Sequence, residues 1–271
     1  MIVAPPLRFA PPRMSLAFAN AFYGGSGKNF TKTLSGIVNF SMMAWVFAPS
    51  AITTSYKSIC ISRTSGQLGL LASGGPGANN TLAYAWSNGN DEINAVTGLT
   101  FPAGEWFLAG LSVQPTTAVI YLVSRTGLAS FSVSKTFTAQ SPSAWTIGSQ
   151  SFSSSLGWPG SIAMVAMWVA TLPQAAFAQV YQGLHPGFVA PKPIFVWAPT
   201  DSKLLSLDQV SGVPVDFTAA GGLSSGSVSI DAFPQRVRAG RRRIFVPTTG
   251  STPATQFPYR PRVWTDYRLR R

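Results

Sequence analysis

The sequence predicts an all-β protein: an antiparallel jelly-roll sandwich with one short helix and extended N- and C-terminal arms. Three observations predict it. From about residue 30, short apolar or alternating runs recur every ten or so residues; Gly, Ser, Asn and Pro clusters separate them; and helical periodicity occurs in one place only. A chain of 271 residues is long enough to bury a substantial core in one large all-β body.

Residues 1–28 are Pro-rich and end in Gly24-Gly25-Ser26-Gly27, which reads as an extended arm with a flexible joint. Residues 29–231 form the expected body. Its strand-like runs include FSMMAWVFA, KSICIS, LGLLAS, TLAYAWS, WFLAGLSV, AVIYLVS, ASFSVSK, SAWTIGS and SIAMVAMWV. The last is apolar enough to suggest a membrane span. Yet only about eleven residues separate Ile162 from Pro173, roughly half of what a spanning helix needs, so a buried strand is expected and no membrane partner. After Pro173, the residues Phe177, Val180 and Tyr181 fall at i, i+3 and i+4, giving one helix face to dock on a sheet. Pro173 suits the first turn, where its missing N–H costs nothing. Residues 191–231 return to strand-like runs (PIFVWAP, KLLSLD, VPVDFTA, SVSIDAF). The tail, 232–271, carries prolines at 247, 253, 258 and 261 that forbid a long helix or central strand, and fully extended it spans about 130 Å.

Charge separates the same three regions. Only 10% of residues are charged, and the net +12 resides at the ends. Residues 29–231 hold seven bases and seven acids, whereas residues 232–271 hold ten arginines against Asp266 alone. A neutral body repels its own copies little, which suits a subunit of an assembly. Cys60 is the single cysteine, so an intrachain disulfide and a cysteine metal cluster are both excluded. Pro-Pro pairs interrupt residues 1–14, so no secretion signal is expected, and the Asn-x-Ser/Thr triplets at Asn29, Asn39 and Asn79 read as chance matches.

Several segments, in order, resemble the laminin G-like, concanavalin A-like jelly-roll family: FSMMAWVFAP at 40–49, GEWFLAGLSV at 104–113, AVIYLVSRTG at 118–127, AWTIGS at 144–149 with WPGSIAMVAMW at 158–168, and TLPQAAFAQVYQG at 171–183. The likeness covers roughly residues 30–185. It implies that Trp45 packs between the sheets and that 171–183 is the closing helix, with Thr171 standing in for the family's serine cap. Ser124-Arg125 replaces the usual Asn-Gly of the central hairpin. Such a fold does not determine function, because sugar binding, protein binding and glycoside hydrolysis all occur on it.

The chemistry must therefore be read from individual residues. Hydrolases on similar sandwiches need two carboxylates on one strand face. Here Asp91-Glu92 is the single adjacent acidic pair, and neighbours along a strand face opposite ways, so no catalytic residue is assigned. Asn88, Asn90, Asp91 and Glu92 offer oxygen ligands for calcium, although Asn88-Gly89 is explained equally by a hairpin turn. No other cofactor is expected. His185, the lone histidine, reads as a helix terminator, and Cys60 as a core residue. Trp86, with Asn88 and Asp91, forms the candidate sugar surface; Trp158 reads as core.

The C-terminal arm is the strongest feature the fold leaves unexplained. Arg236, Arg238, Arg241, Arg242, Arg243, Arg268, Arg270 and Arg271 alternate with Phe245, Trp264 and Tyr267, and lysine is absent. Planar guanidinium forks with aromatics favour desolvated contacts, and a merely solvated tail would be poor in aromatics. Body and arms together resemble capsid-decoration or tail accessory proteins of viruses, particularly laminin G-like domains on phage particles. That resemblance implies a non-enzymatic virion protein, assembled in the host cytoplasm and anchored by its arms to neighbouring capsid or tail subunits. Binding of host surface glycans by the body, and of nucleic acid by the basic tail, are the alternatives.

Overall fold

The computed structural model describes residues 15–17, 28–53, 56–62, 67–73, 80–87, 95–148, 157–198, 208–212 and 225–226. The chain divides into two units, Met1–Arg236 and Val237–Arg271, and all the described residues lie in the first.

Fourteen strands and one helix are described. In chain order they are β1 (Ser15–Ala17), β2 (Lys28–Thr31), β3 (Phe40–Phe47), β4 (Lys57–Ser62), β5 (Gln67–Ser73), β6 (Thr81–Ser87), β7 (Ala95–Thr100), β8 (Trp106–Gln114), β9 (Thr117–Ser124), β10 (Gly127–Ser134), β11 (Ala144–Ile147), β12 (Ser161–Trp168), α1 (Gln174–Tyr181), β13 (Phe195–Trp197) and β14 (Ser225–Gly226). Every pairing is antiparallel. One sheet runs β10-β9-β8-β3-β12-β1-β14, with β13 also on β12; the other runs β2-β11-β4-β5-β6-β7. The chain is an antiparallel two-sheet sandwich with one short helix, as the spacing of its runs requires.

Within residues 1–28, expected as an extended arm, Ser15–Ala17 forms β1 and pairs with β12 at Ile162 and Ser161. The β12 flank bonds β13 only at Val165–Met167, so its other half offers unpaired backbone groups that a short apolar segment satisfies.

Alternation sorts the side chains into two layers. Phe40, Met42, Ala44 and Val46 of β3 meet Phe107, Ala109 and Leu111 of β8 and, across the sandwich, Leu70, Tyr84 and Trp145. Met43 and Trp45 point the other way, into a second cluster beneath α1. Trp45 therefore does not pack between the sheets. Its ring stacks on Tyr181 of the helix, 5.1 Å between centroids and 21° apart. Strand β12 is buried on both faces for the same reason, with Ile162, Val165 and Met167 inward and Ala166 and Trp168 under the helix. This explains a run as apolar as a membrane segment. No helix among the described residues is long and apolar enough to cross a membrane.

The helix is held by its approach as much as by its face. Leu172 N–H donates to Ser41 Oγ (2.9 Å) and Ser112 Oγ (3.1 Å), and those hydroxyls donate back to Ala170 O and Leu172 O. The expected Thr171 cap is absent: Thr171 Oγ1 donates to Val113 O (3.0 Å), and Pro173 occupies the cap position without a side-chain hydrogen bond. Phe177 then stacks on Tyr121 at 4.2 Å, directly over Gly110, where a Cβ would overlap the Phe177 ring. Gly183, at φ 96°, ends the helix, with Gly183 N–H bonded to Val180 O and Leu184 N–H to Gln179 O.

Candidate functional site

Of the sugar-binding and arm residues singled out from sequence, Trp86 is the one that lies among the described residues. Trp86, the expected sugar platform, is only 2% exposed. Its ring lies edge-on to Phe137 (6.0 Å, 87°) and beside Phe40 (6.4 Å), and its indole N–H donates to Thr138 O at 2.8 Å. Register explains this: Trp86 pairs with Leu68 and shares its inward face. Trp86 is a core residue and cannot stack on a ligand. Asn88, Asn90, Asp91 and Glu92 lie outside the described residues, as do Arg236, Arg238, Arg241, Arg242, Arg243, Phe245, Trp264, Tyr267, Arg268, Arg270 and Arg271.

Three further residues take structural places. Trp158 is fully buried and donates to Phe47 O at 3.0 Å. Cys60 is fully buried, and burial pushes its thiol pKa well up, which disfavours the reactive thiolate. His185 lies beyond the helix end. Its Nδ1 accepts Gly187 N–H (3.1 Å), so Nε2 carries the proton and donates to Gln209 Oε1 (2.9 Å). Burial lowers the His185 pKa, partly opposed by the Gln209 bond. Nearby Asp208, a carboxylate only 4% exposed, accepts Val196 N–H, Val210 N–H and Ser211 O–H. These bonds fasten the 208–212 turn to β13, and Lys32 Nζ lies 3.9 Å from Asp208 Oδ2. Among the described residues, no three of His, Cys, Asp and Glu group so as to hold a metal.

A site the sequence did not reveal lies where the 101–105 turn meets the β9–β10 hairpin. It is a cleft of about 410 Å³, with Phe101 at its base. Its apolar lining is Pro102, with Leu122 and Ala129 on the inner face of the β9–β10 hairpin and Leu128 on the face towards α1. The rest of the lining is mostly polar. Glu105 reaches in, paired at 3.6 Å with Arg125, and both remain accessible, with side chains 39% and 74% exposed. Such a pair contributes only about 0–1 kcal/mol to stability, so either partner can exchange the other for a ligand at little cost. Ser124 Oγ and Thr126 Oγ1 sit 2.8 Å apart, and Ser124 Oγ also accepts Thr126 N–H. Ser124 is only 5% exposed, so Thr126, on the exposed turn, carries the hydroxyl that a ligand can reach. Tyr181 backs the ion pair; its pKa is raised first by burial and then by the Glu105 charge, with Arg125 opposing.

Hairpin register builds this cleft. Two-residue turns join β8 to β9 and β9 to β10, and Leu108 pairs with Val123. Continuing that register sets Glu105 at the start of β8 beside the Arg125-Thr126 turn at the end of β9. The signal in sequence was a glutamate opening one strand and an arginine closing the next, twenty residues on.

No protein-family model matches the chain, and no curated protein does. Solved structures do match. The native heptameric SAP-like pentraxin of Limulus polyphemus superposes with a TM-score of 0.52 at 12% identity, covering 81% of this chain and 97% of its own. A Bacteroides ovatus protein, provisionally assigned as carbohydrate-binding, superposes with a TM-score of 0.53 at 11% identity over 83% of this chain. The chain spans 62% of that second protein's length. The chain folds as a jelly-roll sandwich. At such identities the likeness establishes the fold alone.

Proposed function

We propose that the chain is a non-catalytic carbohydrate-binding module whose site is the cleft between the 101–105 turn and the β9–β10 hairpin. The observation that carries this reading is a cleft of about 410 Å³ whose lining joins apolar side chains to an accessible carboxylate, Glu105, and the exposed Thr126, with the Glu105 partner Arg125 beside it. A pyranose presents a C–H face and a rim of hydroxyls that both donate and accept. Pro102 and Ala129 suit the first; Glu105 as acceptor, Arg125 beside it as donor and the exposed Thr126 hydroxyl suit the second. Because Glu105 and Arg125 cancel, a neutral sugar fits better than an anionic one. The cleft holds one carboxylate where glycoside hydrolysis uses two, which supports binding without turnover. The provisional assignment of the Bacteroides ovatus protein agrees with this reading. A glycan array on the full chain, followed by titration calorimetry of the best hit, tests it. Glu105→Gln is expected to weaken binding about tenfold, the difference between a charged and a neutral hydrogen bond. An array with no hit, or equal affinity for the variant, would overturn it.

The composition of residues 232–271 favours a second, compatible role. Ten arginines interleaved with aromatics and prolines suit an arm that orders only against a neighbouring protein, as in a capsid-decoration or tail accessory subunit of a phage particle. In that setting the sandwich presents the sugar site and the arm holds it on the particle. Affinity for random DNA that falls steeply with salt would assign the arm to nucleic acid instead.

A further inference from the structure

Strand β10 ends its sheet, and among the described residues no strand pairs with its outer edge. It is eight residues long, pairs with β9 without interruption from Gly127–Ser124 to Ser134–Thr117, and contains neither a charge nor a proline. The other described terminal strands are shorter: β7 has six residues with a register shift on β6, β2 four and β14 two. Proteins normally blunt such an edge with lysine, proline or a bulge. This one instead exposes Phe131, at 38%.

The hydrogen-bond phase shows which groups are unpaired. Lys135 N–H donates to Thr116 O (3.1 Å), so pairs spaced by two from it, 133–118, 131–120, 129–122 and 127–124, face β9. Leu128, Ser130, Ser132 and Ser134 therefore aim their N–H and C=O groups away from the sheet. Side chains follow the same alternation: Val133 packs on the inner core and Leu128 on the helix-side cluster.

We propose that β10 pairs with β10 of a second copy of this chain, antiparallel and centred on Phe131. Residues directly opposite must share a face, which restricts the two-fold axis to a residue rather than a gap. Centring on Phe131 sets Phe131 against Phe131 and Ala129 against Val133 in an apolar row, with Ser130 against Ser132 on the other side. The outward groups then meet as bonded pairs, 130 with 132 and 128 with 134, giving about eight backbone hydrogen bonds. Centring on Ser130 would set Val133 against Gly127 and leave the Phe131 rings unmatched. A neutral edge on a body with equal numbers of acids and bases meets itself without repulsion, which favours a second copy over a charged partner. The joint and the proposed sugar cleft share Gly127, Leu128 and Ala129, so pairing would bear on that cleft; the observations for pairing, an uncharged and regular edge, do not depend on the sugar reading.

Light scattering on the full chain, together with cysteine crosslinking, tests it. Ser132→Pro removes only an outward N–H, so the monomer keeps its own bonds while the joint is blocked. The mass is expected to fall twofold with the melting temperature held within a few degrees. Phe131→Cys is expected to crosslink to itself on mild oxidation, because facing residues at a non-bonded pair are about 4.5 Å apart, within the roughly 4.4–6.8 Å a disulfide spans. Ser130→Cys, about 7–8 Å from its copy, is expected not to. A monomeric wild-type chain, a mass unchanged by Ser132→Pro, or crosslinking no faster at 131 than at 130 would each overturn the proposal; should Ser132→Pro fail to fold, the crosslinking contrast decides alone.

Discussion

Replacing Trp86 by alanine separates two roles that one side chain cannot fill together. A ligand platform is exposed and costs little stability when removed; a core tryptophan is the reverse. Trp86 is 2% exposed, between Phe40 and Phe137. Its loss should cost about 3–5 kcal/mol in transfer and cavity terms. The indole bond to Thr138 O adds about 0.5–1.5 kcal/mol rather than a full desolvation penalty, because Gln140 Nε2 also donates to that carbonyl at 3.2 Å. Together these give about 3.5–6.5 kcal/mol. For a body of this size that is a fall in melting temperature of roughly 7–26 °C. Thermal denaturation followed by circular dichroism reads it, and Trp86→Phe, which keeps most of the ring, should fall between variant and parent. A Trp86→Ala protein melting within about 2 °C of wild type while losing glycan binding would refute the placement in the core.

Other expectations follow from the same packing. Gly110→Ala should destabilise by about 1–3 kcal/mol, because its Cβ must displace Phe177 and lift α1; a chemical melt measures this, and a neutral result would contradict the helix seat. His185 has a lowered pKa in the fold, so the unfolded chain binds the extra proton: stability should be complete above the ordinary value of 6.5 and decline as pH falls below it. Melting temperature against pH for wild type and His185→Gln tests this, with the variant showing a flatter profile. Deleting residues 234–271 should leave a folded, soluble body that no longer joins its assembly; normal incorporation would contradict the anchoring arm.

Period-two runs broken by Gly and Pro located most of the described strands, because alternation and turn residues are local properties. Which face of a strand is inner is not local. In β3 all but the last residue is buried, since α1 covers the outer face, so alternation could not place Trp45 beneath the helix. The burial of Trp86 is hidden for the complementary reason: proximity in sequence to polar turn residues says nothing about the inward register it shares with Leu68. The cleft was legible only in part. Glu105 and Arg125 are unremarkable alone, and become neighbours once two consecutive two-residue turns fix the register of β8, β9 and β10.

The measurement that bears most directly on the account is calorimetric titration of the full chain with a neutral glycan selected on an array, for wild type, Glu105→Ala and Arg125→Ala. The cleft predicts saturable binding by the wild type and a loss of roughly ten- to a hundredfold in each variant, the worth of a charged hydrogen bond, with melting temperatures unchanged because an exposed ion pair stabilises little. Wild-type affinity retained by both variants would show that sugar, if bound, is bound elsewhere.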